Sequence, residues 1–146
     1  MVKPCYNYST QQGVYMEYIV ESKNSKHKKW VEALLPSMIK QLGLVNSRKT
    51  LLVAVESCDG EGATYPLDAI DSYVVVIKPG KLKDIGITLA HEMAHVRQMA
   101  KGILQIVDGK NFWKGNRYTK RTKYLDLPWE QDAFAKQEIV FRRSLE

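Results

Sequence analysis

The segment Thr88 to Ala100, TLAHEMAHVRQMA, constrains this chain more than any other. His91 and His95 are four residues apart, which on a helix puts both imidazoles on one face, one turn from each other. Two neutral imidazoles so placed reach a single metal ion, and imidazole is a good zinc ligand. Glu92 projects about 100° further round the helix. From there it could take a proton from a metal-bound water, whose pKa zinc brings to roughly 7. The chain has three histidines, and this motif uses two of them. The intervening and flanking Leu89, Ala90, Met93, Ala94 and Val96 are apolar, so the helix is expected to be buried. Buried histidine and glutamate need partners, and a metal is one. The competing reading is a surface helix with chance histidines, because HExxH is short.

Two histidines do not complete a catalytic zinc site, which usually has three protein ligands and an open position. The third histidine, His27, lies in the lysine-rich stretch KNSKHKK and is expected to be solvent-exposed. No HExxHxxGxxH extension follows, since Gln98 stands where its glycine would be. Cys5 and Cys58 are in no CxxC pair, which rules out a cysteine ribbon, and two isolated thiols are expected to be free. The third ligand should therefore be an acid. In the last helix Glu130 shares a face with Ala133, Phe134, Gln137 and Phe141, a mostly apolar face that should point inward. Asp132 shares a more solvated face with Lys136 and Arg143 and could form an i,i+4 ion pair. This favours Glu130 as the ligand. Asp132 is the alternative, either as the ligand or as a group orienting a histidine through its other ring nitrogen. Both acids could instead simply complement the helix N-terminus. Peptide hydrolysis also needs a group to stabilise an oxyanion. Tyr118, Tyr124, Arg117 and Arg121 lie between the two helices, and Tyr118 and Tyr124 rank first.

The remaining patterns place this helix in an α+β domain spanning residues 1–146. Val14 to Val20 alternates weakly as a short strand. His27 to Leu42 has helical spacing of apolar residues and stops at Gly43, with Pro36 as a possible kink or break. Thr50 to Val55 and Tyr73 to Ile77 read as strands. Asp84 to Lys101 is the motif helix, with Asp84 as its expected N-cap and Gly102 as its stop. Ile103 to Val107 and Phe112 to Tyr118 flank Asp108-Gly109 as a hairpin. Leu127 to Leu145 is the last helix, with Pro128 in its first turn. The sheet is expected to be small, and mixed or antiparallel.

The length of 146 residues is enough for a sizeable core, and 45% hydrophobic with 26% charged residues is the composition of a globular chain. No apolar run approaches bilayer length. Residues Met1 to Thr10 lack the apolar centre of a secretory signal, so an intracellular, cytoplasmic protein is expected. The net charge of +6 is concentrated in Lys23 to Lys29 and Lys114 to Lys123. Solvated basic loops are the plain explanation. Nucleic-acid binding is the sharper one, since Trp113, Tyr118 and Tyr124 interleave the second cluster. The acids Glu56, Asp59 and Glu61 lack EF-hand spacing and read as a solvated turn.

His91-Glu92-x-x-His95, followed by a helix carrying Glu130-x-Asp132-Ala133, resembles the small gluzincin-type HExxH metallopeptidases. The chain is similar to SprT-like and ImmA/IrrE-type peptidases, and closest to compact versions encoded by phages. The resemblance covers roughly Leu82 to Gln137. It implies a minimal zincin-like domain in which His91, His95 and Glu130 bind Zn2+, Glu92 is the general base and a protein or peptide is the substrate. A zincin layout also places an edge strand beside the motif helix to bind an extended substrate, and Gly62 to Pro66 is the candidate. A plain connecting loop is the equal alternative there. The alternative function is a catalytically silent zincin-fold binding protein with a structural zinc, associated with nucleic acid through its basic clusters.

Overall fold

The two β-rich runs pair with each other at the centre of a sheet, as their apolar content on both faces requires. The structure is a computed structural model that describes residues 2–4, 16–67 and 71–146. In chain order its elements are β1 (Val2–Pro4), β2 (Glu17–Ser22), α1 (Ser25–Gln41), β3 (Thr50–Val55), β4 (Gly62–Leu67), β5 (Ser72–Ile77) and α2 (Leu82–Ala100). They are followed by β6 (Leu104–Val107), β7 (Lys110–Trp113), β8 (Asn116–Tyr118), a 3-10 turn (Tyr124–Asp126) and α3 (Pro128–Ser144). This is a mixed α+β fold.

The larger sheet has the order β1-β2-β3-β5-β4. Strands β2, β3 and β5 are parallel, and β1 and β4 run antiparallel at the two edges. Tyr18, Val20, Leu51, Val53, Val55, Tyr73, Val75 and Ile77 alternate onto one face and are buried there. They share a core with Leu34, Leu35, Met38 and Ile39 of α1 and with Ile85, Leu89 and Met93 of α2. Among the described residues, no helix is long and apolar enough to cross a membrane.

Several local expectations are refined by the chain's own chemistry. The strand read over Val14 to Val20 is seen from Glu17; Val14 and Tyr15, like Cys5, lie outside the described residues. Helix α1 begins before His27 because Asn24 caps it, its side chain accepting from the N–H groups of Lys26 at 2.9 Å and His27 at 3.1 Å. Pro36 is exposed and does not break α1. Asp84 is not the N-cap of α2. The helix starts at Leu82 after Lys81, and Asp84 sits in the first turn, where its charge suits the helix dipole. Asp108 and Gly109 both have positive φ and turn β6 into β7, as expected. Lys114 and Gly115 repeat that conformation at φ 50° and 85°, so Phe112 to Tyr118 is two strands rather than one. The result is a three-stranded antiparallel sheet, β6-β7-β8, between α2 and α3.

Two glycines set the spacing around α2. A Cβ on Gly86 would lie 2.2 Å from the Phe141 ring, so glycine is what lets α3 approach α2 this closely. A Cβ on Gly62 would lie 2.8 Å from Thr88 Cγ2 and 2.9 Å from the Val76 carbonyl oxygen, so glycine brings β4 against α2. Helix α1 is tied to both others. Trp30 Nε1 donates to the Leu82 carbonyl at 2.6 Å, and Gln41 Nε2 donates to the Val140 carbonyl at 3.0 Å.

Candidate metal centre

Helix α2 is buried along most of its length, and the motif lies in the middle of the buried stretch. His91, Glu92 and His95 are 7%, 6% and 7% exposed. Helix α3 crosses beside it and buries Glu130, at 8% exposure, in its first turn. Glu130 Oε1 lies 2.9 Å from His91 Nε2 and 3.2 Å from His95 Nε2. Among the described residues these three form a cluster able to hold a metal ion, with ligand atoms all within 4.8 Å of one another. Helix α3 thus supplies Glu130 as the third ligand, as its apolar face suggests.

The rings are held from behind. His91 Nδ1 donates to Gln137 Oε1 at 2.8 Å, and His95 Nδ1 donates to Gln98 Oε1 at 2.9 Å. Each Nδ1 therefore carries a proton, and each Nε2 is turned toward the Glu130 carboxylate. That arrangement needs a proton or a cation between each Nε2 and the carboxylate. Two imidazole nitrogens and one carboxylate converging this way make a zinc donor set, for which bonds of about 2.0–2.2 Å are usual. The residues fit the ion.

Gln98 is fully buried and reaches further. Its Nε2 donates to the Trp129 carbonyl and to Asp132 Oδ2, both at 2.9 Å. Asp132 is thus not a ligand. It also pairs with Lys136, the i,i+4 partner read from the sequence. It acts on His95 through Gln98 rather than directly, because the amide fills the gap between α2 and α3.

The electrostatics follow from this packing. Burial opposes charge on Glu130, but hydrogen bonds from His91 and His95, the His95 charge and the Tyr124 hydroxyl lower its pKa to about 2. Burial likewise opposes charge on His95, and the bonds to Glu130 and Gln98 together with the Glu130 and Glu92 charges outweigh it, so its pKa is raised. Burial raises the pKa of Glu92, against a hydrogen bond from Thr64 and the His95 and His91 charges.

Glu92 does not join the cluster. Its Oε1 accepts from Thr64 Oγ1 of β4 at 2.6 Å, and Thr64 Oγ1 is also 3.2 Å from the Glu92 backbone carbonyl. Strand β4 is the edge strand over Gly62 to Pro66 that the zincin layout calls for, extended to Leu67. Two cavities meet at Gly62, Glu92 and Tyr124. One, of about 420 Å³, also touches His91, Thr88, Phe134 and Gln137. The other, of about 310 Å³, also touches His95, Glu130, Leu104, Ile106 and Trp129.

The structure separates the two tyrosines. Tyr124 OH donates to Glu130 Oε1 at 2.9 Å, and burial and this bond push its pKa up to about 12. Tyr118 packs its ring edge-on against Trp129, 5.6 Å between centroids, instead of lining either cavity. Arg117 and Arg121 are exposed. His27 departs from expectation: it is half-buried, and its Nδ1 has no hydrogen-bond partner among the described residues. It lines a separate cavity with Glu21, Asn24 and Glu56, because its place in the first turn of α1 tucks it against the carboxyl ends of β2 and β3. Cys58 is a free thiol. Lys114 to Lys123 is largely exposed, and Lys114 Nζ lies 5.9 Å from the Trp113 ring centre.

Sequence reasoning did not identify Gln98, Gln137 or Thr64. Gln98 lies one helical turn after His95, and Gln137 shares the Glu130 face, so spacing could have found both. Thr64 carries no such signal, since it reaches Glu92 from another element. No family model, curated protein or solved structure matches this chain.

Proposed function

We propose that the chain is a zinc-dependent metallopeptidase in which His91, His95 and Glu130 hold the ion and Glu92 is the general base. The observation that carries this reading is the placement of Glu92. It is buried beside the ligand cluster, excluded from it by Thr64, and exposed to both cavities where they meet. When bound, zinc supplies a Lewis acid that lowers the pKa of a coordinated water to about 7. Glu92, its pKa raised by burial, takes up a proton and returns it to the leaving amine. Thr64 holds Oε1, which leaves Oε2 as the oxygen that carries the proton. Gln137 and Gln98 fix both imidazoles so that Nε2 faces the ion. The Tyr124 hydroxyl keeps its proton at neutral pH and is the proposed donor to the developing oxyanion. The outer edge of β4, which pairs with no strand among the described residues, offers backbone groups to an extended peptide passing Glu92.

The finer likeness, to SprT-like and ImmA/IrrE-type peptidases and their phage-encoded forms, rests on the motif residues alone. The test is hydrolysis of an unfolded protein by the zinc-loaded chain. Glu92→Gln should keep the metal and reduce turnover by about 100-fold or more. Unchanged turnover in that variant would refute the role of Glu92.

A further inference from the structure

The small sheet inserted between the motif helix and the ligand helix forms one wall of the cleft. The β6–β7 register pairs Leu104 with Trp113 and Ile106 with Asn111. Paired residues share a face, so these four side chains lie together. Leu104, Ile106 and Asn111 line the cavity of about 310 Å³ that also reaches Glu92, His95 and Glu130. The opposite face carries Gln105, Lys110 and Arg117, all exposed, so the basic residues of this sheet turn away from the cleft. Met99 and Trp129 add further apolar surface to the same cavity. Trp129 and Leu104 are 8% and 7% exposed, whereas Ile106 is 47% exposed and stands at the mouth. Across the cavity are Gly62, Ala63 and Thr64 of β4, whose other edge is already paired with β5.

We infer that this cavity is a specificity subsite for a bulky apolar side chain of a peptide lying along β4, with Ile106 as its gate. The inference rests on the reading of the cleft as a peptide site. A strand added to β4 sends alternate side chains to opposite faces, so one residue enters this cavity while its neighbours point away. The lining offers Leu104, Ile106, Met99 and Trp129 to that residue. A small side chain there would leave these apolar groups uncovered.

The experiment uses zinc-loaded Glu92→Gln protein, which holds a peptide without turning it over. Capped Gly/Ser/Thr peptides carrying a single Phe, Leu or Ala are titrated by calorimetry. Phe and Leu peptides should bind about tenfold or more tighter than Ala peptides. Adding Ile106→Asp should bring that ratio to within about twofold while zinc content stays the same. Equal binding of all three peptides, binding of none, or a ratio that survives Ile106→Asp would overturn the inference. Discrimination in binding, with no cleavage by the zinc-loaded wild-type chain, would retain the subsite and reject the peptidase reading. Cleavage without discrimination would do the reverse.

Discussion

The two histidines face the same carboxylate but are held from different places. His95 is oriented from within its own helix by Gln98, which is fully buried and also bonded to the Trp129 carbonyl and Asp132. His91 is oriented from the neighbouring helix by Gln137, which is half-buried and belongs to the face of α3 that borders the open cavity. In the first arrangement the acceptor comes from α2 itself, with α3 only bracing the Gln98 amide. The second exists only if α2 and α3 keep their spacing. One ring therefore finds its orienting acceptor within its own helix, and the other finds it only through tertiary packing.

The sharpest way to break this contrast is Gln98→Ala. It removes the acceptor for His95 Nδ1 and the donor to Asp132 Oδ2, so zinc affinity should fall by about 10–100-fold. The fold should also lose about 1–3 kcal/mol, readable in a denaturant titration. An affinity within about twofold of wild type would show that Gln98 does not orient the ring. Next comes Gly86→Ala, which forces the Phe141 ring away and so shifts α3 relative to α2. About 1–3 kcal/mol of stability should be lost. The NMR signals of His91 should move more than those of His95, since only His91 relies on α3 for its Nδ1 partner. Equal shifts of both rings would remove the distinction. Gln137→Ala should be milder, costing about tenfold in zinc affinity and leaving stability within about 0.5 kcal/mol.

The smallest effect is one of pH. The raised pKa of His95 in the metal-free protein means that its ring holds a proton to higher pH than an ordinary histidine. Protons then compete with the ion for the ring, so zinc affinity should fall as pH is lowered from about 8 toward about 5. Competition with a chromophoric chelator measures this, and a flat profile would contradict it.

The same contrast explains what was legible in the sequence. His91, Glu92 and His95 were readable because one helical turn encodes their geometry, and the apolar residues around them announced burial. Glu130 was readable because it shares a face with Ala133 and Phe141, although its contact with α2 lies far off in sequence. The strand at Gly62 was even odds against a loop, since GATYP has little β signal of its own; what fixes it is pairing with β5 and the absence of a Cβ against Thr88. The split of β7 from β8 was missed because Lys114 adopts positive φ, which its residue type does not advertise. The half-burial of His27 was missed because a lysine-rich neighbourhood says nothing about the cavity beside it. What one helix encodes was visible, and what needs two elements to meet was visible only where a face pattern pointed to it.

The central claim is that these three side chains are a zinc site. Elemental analysis of the purified chain beside its Glu130→Ala variant tests it most directly. One zinc per wild-type chain, largely lost when Glu130 is removed, is the expected result. Zinc no higher than background in the wild type, or unchanged by the loss of Glu130, would contradict it.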